Sequence, residues 1–378
     1  MTRITSIKEV QQRLSTLYFY KKLIKSPHYP LHLKRCKKHF SSKKSKKHKP
    51  YLLWLALCVP PKKLKKGYKF LPLRGRKGGR IYTNFIEVPM KITSYSYIIQ
   101  ILEQLKSLSN KQCSLKEKEK SFAYILGMML SDTSKPEGYR FSNQCLVSLT
   151  RKYDWSLAIG NEVSSCFNKI GIKAHRIKDN TKLRPRAPNG EYRWISEKSP
   201  FITYLLETCM SLKPKQRTTY DKVSMDWLLS SPSHFLISFF QGLSDGDGCA
   251  HNFWRVELSC DPNQQIIVKL LKKLSIRSYI DTDSVNISHY ESICKAYSLP
   301  IFLNAESRLK KLEKVTCMIK SRKFLKELSL DLKNKIILLK DEGLSAGQIS
   351  EQLYDEMQIG VHPNAINSFY SNYSSNKS

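Results

Sequence analysis

With 378 residues, 41 % of them apolar, the chain has room for two or three domains and a sizeable core, the composition of a soluble globular protein. Lys and Arg number 65 against 31 Asp and Glu, a formal charge of +34 that makes nucleic acid the leading partner class, with a merely solubilising basic surface as the alternative. Ten cysteines without a CxxC pair read as free thiols of a reducing intracellular compartment, cytoplasm or organelle, and argue against a disulfide frame or a zinc cage.

From Met1 to about Lys120 the sequence reads as a basic, irregular N-terminal extension. Lys34 to Lys49 holds nine Lys or Arg and no acid, and further basic runs follow at Lys62 to Lys66 and Arg74 to Arg80. Such runs repel one another and stay solvated or lie on phosphates. Interleaved aromatics, among them Tyr29, Phe40, Tyr51 and Trp54, suit an accessory DNA-binding arm, and a solubilising tail is the other reading. Cys36, His39 and His48 form the one Cys/His grouping of note, short of a second Cys at zinc-ligand spacing. The apolar run Tyr51 to Val59 falls far below the ~20 residues that span a bilayer, so no membrane segment is expected, and no secretory signal is visible.

Two downstream segments share one order of elements. The first opens with the apolar stretch Phe122 to Ser134, which carries Asp132 near its end. It continues as an extended stretch (Tyr139 to Tyr153), a helix (Ser156 to Ile170), strands at Lys173 to Lys178 and Glu191 to Ser196, and a helix from Phe201 to Leu212. The second opens with Phe235 to Ala250, which carries Gly242, Asp245 and Asp247. An extended stretch (Phe253 to Cys260), a helix (Asn263 to Leu274), strands at Arg277 to Asp281 and Ser284 to Ser288, and a helical tail (Tyr290 to Tyr297) follow. Alternation at Val256 and Leu258 marks a strand, and Ile267, Leu270, Leu271 and Leu274 follow helical spacing.

The expected fold is therefore α+β, an internal duplication of the order αββαββα. The expected divisions are an extension (1–120), a first repeat (121–212), a polar linker (213–231), a second repeat (232–304) and a C-terminal helical region (305–378). In the last, helices are expected over Lys333 to Lys340, from Ser345 to Leu353 and over His362 to Tyr373, with Gly343 as a C-cap and Ser345 as an N-cap. Three short helices suggest a helix-turn-helix-like unit whose last helix presents Asn364, Asn367 and Ser368 to base edges, or else a plain packing tail.

Each copy delivers a carboxylate at the C-terminal end of an apolar helix. If the two helices lie side by side, Asp132 and Asp247 meet, a pairing that suits a divalent metal. Spacing argues against a calcium loop at Asp245 to Gly248, since the sixth and twelfth places are Ala250 and Val256. Between the two strands of the first repeat, Lys178 to Arg193 forms a basic hairpin with a turn at Asn189 and Gly190. Its Lys178, Lys182, Arg184, Arg186 and Arg193, with Arg151 nearby, are candidate DNA contacts. The corresponding hairpin of the second repeat is short and carries Asp281 and Asp283.

At these residues the chain resembles the LAGLIDADG homing endonucleases. Phe240 to Gly248, FQGLSDGDG, matches the motif well. Ile125 to Thr133, ILGMMLSDT, holds Gly127 and Asp132 in the same places, with Leu130 and Thr133 where the motif has an acid and a glycine. The resemblance implies a single-chain pseudo-dimer, two motif helices at its centre and a saddle of strands on double-stranded DNA. It also implies Mg²⁺ held by Asp132 and Asp247, and hydrolysis of both strands. Gly248 would free the turn beyond the acid. A basic residue near the metal would come from Lys198, matched by His289 in the second copy, or from Lys152, matched by Cys260. The unequal halves raise sequential nicking as an expectation. The protein would act as a monomer, encoded by a mobile intron or standing free. An intron RNA maturase, with intron RNA as partner, and a transcription regulator on a silenced nuclease fold are the alternative readings.

Overall fold

The computed structural model describes residues 4–42, 49–75, 82–108, 113–134, 143–179, 188–213 and 221–375. Its first third overturns the expectation of an irregular extension. Helices α1 (Ile7–Ser15), α2 (Tyr20–Ile24), α3 (Tyr29–Ser41) and α4 (Tyr51–Cys58) precede an antiparallel hairpin, β1 (Tyr68–Gly75) and β2 (Tyr82–Pro89), and helix α5 (Tyr95–Leu108). Val10, Leu14, Leu17, Leu52, Leu55, Ala56 and Phe70 form a core for this unit. The physical reason is that lysine repulsion acts only on a surface. In α3 the charges of Lys34, Arg35, Lys37 and Lys38 all point to solvent while Cys36 is buried among apolar side chains. Burial pushes the Cys36 thiol up. The described residues hold no cluster of three metal-ligating side chains, and of the Cys36, His39 and His48 grouping His48 lies outside them.

The middle of the chain runs through two successions of the same elements. The first is α6 (Leu115–Leu130), β3 (Thr133–Ser134), β4 (Leu146–Thr150), α7 (Ser156–Lys169), β5 (Ala174–Arg176), β6 (Glu191–Ser196) and α8 (Pro200–Tyr204), which continues as a π-helical turn, Leu205–Cys209. The second is α9 (Ser233–Asp247), β7 (Gly248–His251), β8 (Arg255–Ser259), α10 (Gln264–Lys273), β9 (Tyr279–Ile280), β10 (Ser284–Ile287) and α11 (Tyr290–Ser298). Each forms a four-stranded antiparallel sheet, ordered β3-β4-β6-β5 and β7-β8-β10-β9, so corresponding strands hold corresponding places. Sequence and structure agree on an α+β mixture with small antiparallel sheets.

Residues 221–231, at the end of the expected linker, pack more than their polarity suggests. Val223, Met225, Trp227 and Leu228 are buried, and the Trp227 indole N–H donates to the Cys209 carbonyl at 2.8 Å.

After the second repeat comes α12 (Glu306–Lys320), a helix the sequence reading left unassigned. Then follow α13 (Leu330–Asp341), α14 (Ala346–Met357) and α15 (Pro363–Ser375). The expected caps are present. Gly343 adopts φ +89°, and the Ser345 hydroxyl accepts from the Gln348 N–H while the Gln348 side chain accepts from the Ser345 N–H. Ile336, Leu339, Ile349, Leu353, Val361 and Ile366 give these helices a core of their own.

The appended units rest on different repeats. Tyr18 shares a 2.6 Å hydrogen bond with Thr208, Ser199 donates to the Leu73 carbonyl at 2.6 Å and Tyr204 donates to the Pro89 carbonyl at 3.0 Å, which ties the N-terminal unit to the end of the first repeat. The C-terminal unit grips the β7–β8 turn. Asn252 donates to Glu351 at 2.8 Å, and the Trp254 and His362 rings lie 5.0 Å apart. No helix among the described residues is long and apolar enough to cross a membrane.

Candidate active site at the paired helix ends

The site is built by the crossing of α6 and α9. A Cβ on Gly127 would overlap the carbonyl oxygen of Phe239 and lie 2.7 Å from the Leu243 nitrogen. A Cβ on Gly242 would overlap the carbonyl oxygen of Tyr124 and lie 3.0 Å from the Met128 nitrogen. Each glycine therefore seats on the residue three before, and the residue one after, its opposite number. That reciprocity is the mark of a local two-fold relation, and it needs backbone-to-backbone approach that no larger residue permits.

The same pairing extends along the helices. Near their N-terminal ends Glu119 accepts from the Tyr95 hydroxyl at 2.6 Å and contacts His234 Nε2 at 2.5 Å. At the C-terminal ends a Cβ on Gly246 would crowd Ser131 and come 3.2 Å from Asp132 Oδ2. Glu119 with His234, Gly127 with Gly242, and Ser131 with Gly246 are pairs of equal separation along the chain. The helices are thus parallel and in register, which brings Asp132 and Asp247, the next residues on, to one end.

This convergence concentrates negative potential, since two helix C-termini and two carboxylates share one place. Both acids are half-buried. Desolvation raises both above the usual carboxylate range. Asp132 adds to the rise at Asp247, and the positive charge of Arg308 pulls both back down.

The two ends are finished differently. At the end of α6, Ser131 and Thr133 hydroxyls donate to the carbonyls of Met128 and Met129, at 3.3 and 3.4 Å. At the end of α9, Arg308 Nη1 donates to the carbonyls of Ser244, Asp245 and Gly246, each at 2.9 Å. Asp245 holds α12 in place for this. Its carboxylate is 1 % exposed and accepts from the backbone N–H groups of Leu303 (2.9 Å), Asn304 (3.0 and 3.1 Å) and Ala305 (3.3 Å), from the Asn304 side chain (3.1 Å) and from the Tyr124 hydroxyl (2.8 Å). Burial still pushes the Asp245 carboxyl upward against these donors. In the first copy Leu130 stands at this place, and it is buried.

The remaining sequence candidates are scattered more widely. Register makes Val147 the counterpart of Leu258, because Thr133 pairs with Val147 and Gly248 with Leu258. Trp194 then matches Val285, and Lys198 matches His289, as the sequence comparison has it. Cys260, however, falls on Leu149 rather than on Lys152. The error arose from matching loops, whereas strand pairing fixes the alignment. Lys198 is exposed just beyond β6. Lys152 is exposed beyond β4, with its ammonium 5.3 Å from the Tyr153 ring centre. The role expected for Gly248 also changes. Its φ of −88° is open to any residue, and glycine is required because a Cβ would lie 2.7 Å from the Ser244 carbonyl oxygen and 2.8 Å from the Phe302 ring.

Of the candidate DNA contacts, Lys178 and Arg151 are exposed and Arg193 is half-buried, opposite Ser148 on the neighbouring strand. Arg151 lies 5.3 Å over the Tyr192 ring. Gly190 has the left-handed φ of +75° expected of the hairpin turn, while Lys182, Arg184 and Arg186 lie outside the described residues. Asn364, Asn367 and Ser368 are exposed on α15. Arg308 was missed by sequence reasoning, and so was the buried role of Asp245.

No family model and no curated protein matches the chain. Similar solved structures include I-DmoI in complex with DNA and Mn, with 16 % identity, coverage of 48 % of this chain and 97 % of that one, and a TM-score of 0.34. Mesophilic variants of the homing endonuclease I-DmoI give 16 % identity, coverage of 51 % and 99 %, and a TM-score of 0.34. The homing endonuclease I-WcaI bound to its DNA recognition sequence gives 13 % identity, coverage of 55 % and 91 %, and a TM-score of 0.35.

Proposed function

We propose that this chain is a site-specific endonuclease of the LAGLIDADG homing type that hydrolyses phosphodiester bonds in double-stranded DNA. The observation that carries the reading is the in-register parallel pair of helices. A protein that only bound nucleic acid would gain nothing from gathering two carboxylates and two helix C-termini where a phosphate must approach. The cost of that arrangement makes sense when cations complete it.

The donor set fits Mg²⁺. Two carboxylates supply hard oxygen ligands, and Mg²⁺ takes one or two such side chains together with water and phosphate oxygens rather than a full protein cage. Asp132 and Asp247 would hold the ions, whose chemistry is to lower the pKa of bound water and neutralise charge on the leaving oxygen. The protein's own part is placement. The glycine seam fixes the acids relative to each other, the two small sheets flank them, and Arg308 favours their ionised forms. The two sheets are read as the halves of a pseudo-dimeric saddle on DNA. Lys178, Lys182, Arg184, Arg186, Arg193 and Arg151 are assigned to the backbone on one side, and the exposed Asn364 and Asn367 of α15 to an outlying contact near the β7–β8 turn. Lys198 and Lys152 are assigned to ordering water or phosphate beside the cut.

The test is to incubate the protein with a randomised duplex library and Mg²⁺ and to sequence the ends. Recurrent cuts that vanish in Asp132→Asn and Asp247→Asn establish the endonuclease. Binding without cuts would replace it with a maturase or a regulator.

A further inference from the structure

We propose that Arg308 is a phosphate-contacting residue that serves the Asp247 side of the site, an inference that rests on the endonuclease reading above. Arg308 belongs to α12, outside both repeats, yet it is fixed from three directions. Its Nη1 is committed to three carbonyls at the end of α9. Its guanidinium lies 4.7 Å over the Trp155 ring, and Trp155 in turn donates to Ser307 at 2.9 Å, the residue before it. Asp245 anchors the chain at Leu303 to Ala305, immediately ahead of the helix.

Immobilisation of one nitrogen leaves the rest of a planar fork. Arginine carries five N–H donors, and those on Nε and Nη2 have no hydrogen-bond partner among the described residues. The side chain is half-buried, and its charge acts on both Asp132 and Asp247 while forming an ion pair with neither. A cation bonded to carbonyls rather than to the carboxylates leaves those carboxylates available. Its unused donors match two oxygens of a phosphate, the geometry in which arginine exceeds lysine.

The Trp155 contact extends outward. Trp155 stacks on Tyr153 at 4.7 Å with planes 7° apart, and Lys152 sits 5.3 Å from the Tyr153 ring centre. An exposed basic residue in the first repeat is thereby coupled through two rings to a guanidinium rooted after the second. Among the described residues the first copy shows no equivalent, since Leu130 cannot anchor a following helix and hydroxyls close α6. The two DNA strands therefore meet different surroundings.

The experiment uses a duplex recovered from the library selection and follows each strand separately for wild type, Arg308→Gln and Arg308→Lys, with duplex binding measured in Ca²⁺ by anisotropy and folding by thermal unfolding. Glutamine keeps N–H donors for the α9 carbonyls, and lysine keeps the charge without the fork. The expected result is that Arg308→Gln slows one strand at least ~10-fold more than the other and that Arg308→Lys restores part of the loss. Equal slowing of both strands, or unchanged rates, would overturn the proposal. Absence of any cut by wild type would sink the endonuclease reading instead. If the variants do not fold, the wild-type protein answers with duplexes carrying one neutral methylphosphonate at a time. A loss of at least ~10-fold beside one cut and not at the matching position beside the other supports the assignment, and equal losses overturn it.

Discussion

The ends of α6 and α9 sit side by side, in register, and are constructed differently. Both reach an aspartate after the same glycine-centred crossing. One ends on local hydroxyls with a buried leucine two residues before the acid. The other ends on an arginine delivered by a helix that a buried aspartate pins down. The backbone geometry is shared and the chemistry around it is not. Placement of the acids is thus a property of the helix seam, and tuning of each acid is a property of what lies beyond each repeat.

The seam half of that comparison should break first. Gly127→Val and Gly242→Val must force the helices apart, and each should cost roughly 3 kcal/mol or more, enough to abolish the cooperative unfolding transition seen by circular dichroism. If the two-fold relation is real, the two losses match; a tolerated substitution at either site would refute it. Next come the acids. Asp132→Asn and Asp247→Asn should each reduce cutting by about 10³-fold with duplex affinity in Ca²⁺ retained, which strand-resolved gels and anisotropy would check. A smaller effect follows from copying one end onto the other. Asp245→Leu reproduces the first copy, leaves the N–H groups at 303–305 without their acceptor, and should cost on the order of 2–3 kcal/mol in denaturant unfolding. The reverse change, Leu130→Asp, places a carboxylate with no such donors and should destabilise rather than repair.

The smallest effect is one of pH. Burial raises Asp132 and Asp247 in the folded state, so between the ordinary carboxylate range and their raised values the folded protein holds protons that the unfolded chain has released. Their contribution is fully present below the unfolded pKa and is lost as pH rises through the folded one. Without metal, wild type should lose on the order of 1–2 kcal/mol relative to Asp247→Asn between pH 4 and pH 8, measured as the difference between their denaturant midpoints. A difference that stays constant across this range would show that burial does not raise Asp247.

Much of this was legible in advance where the signal is local. Alternation gave β8 at Val256 and Leu258, helical spacing gave α10, and glycine and serine gave the joint between α13 and α14. Duplication gave the paired acids, since two copies of one pattern constrain each other. What stayed hidden depended on distant partners. Arg308 sits in ESRLKKLEK, which has the look of an ordinary solvated helix face, and nothing nearby in sequence says that its carbonyl acceptors lie some sixty residues earlier. The N-terminal unit was misread because its lysines are conspicuous, although Val10, Leu14 and Leu17 already held the spacing of a buried face.

The glycine seam carries one more implication, about partner choice. A surface that fits its own image cannot, by shape alone, tell the matching helix of the same molecule from an identical helix in a neighbouring one. The side chains along it supply that discrimination. Glu119 meets His234 and Tyr124 meets Asp245, so each contact joins unlike residues. Two copies of α6 would set Glu119 against Glu119, and two copies of α9 would set Asp245 against Phe239. Mispaired assemblies would lose both contacts at once, a bias toward pairing within one polypeptide.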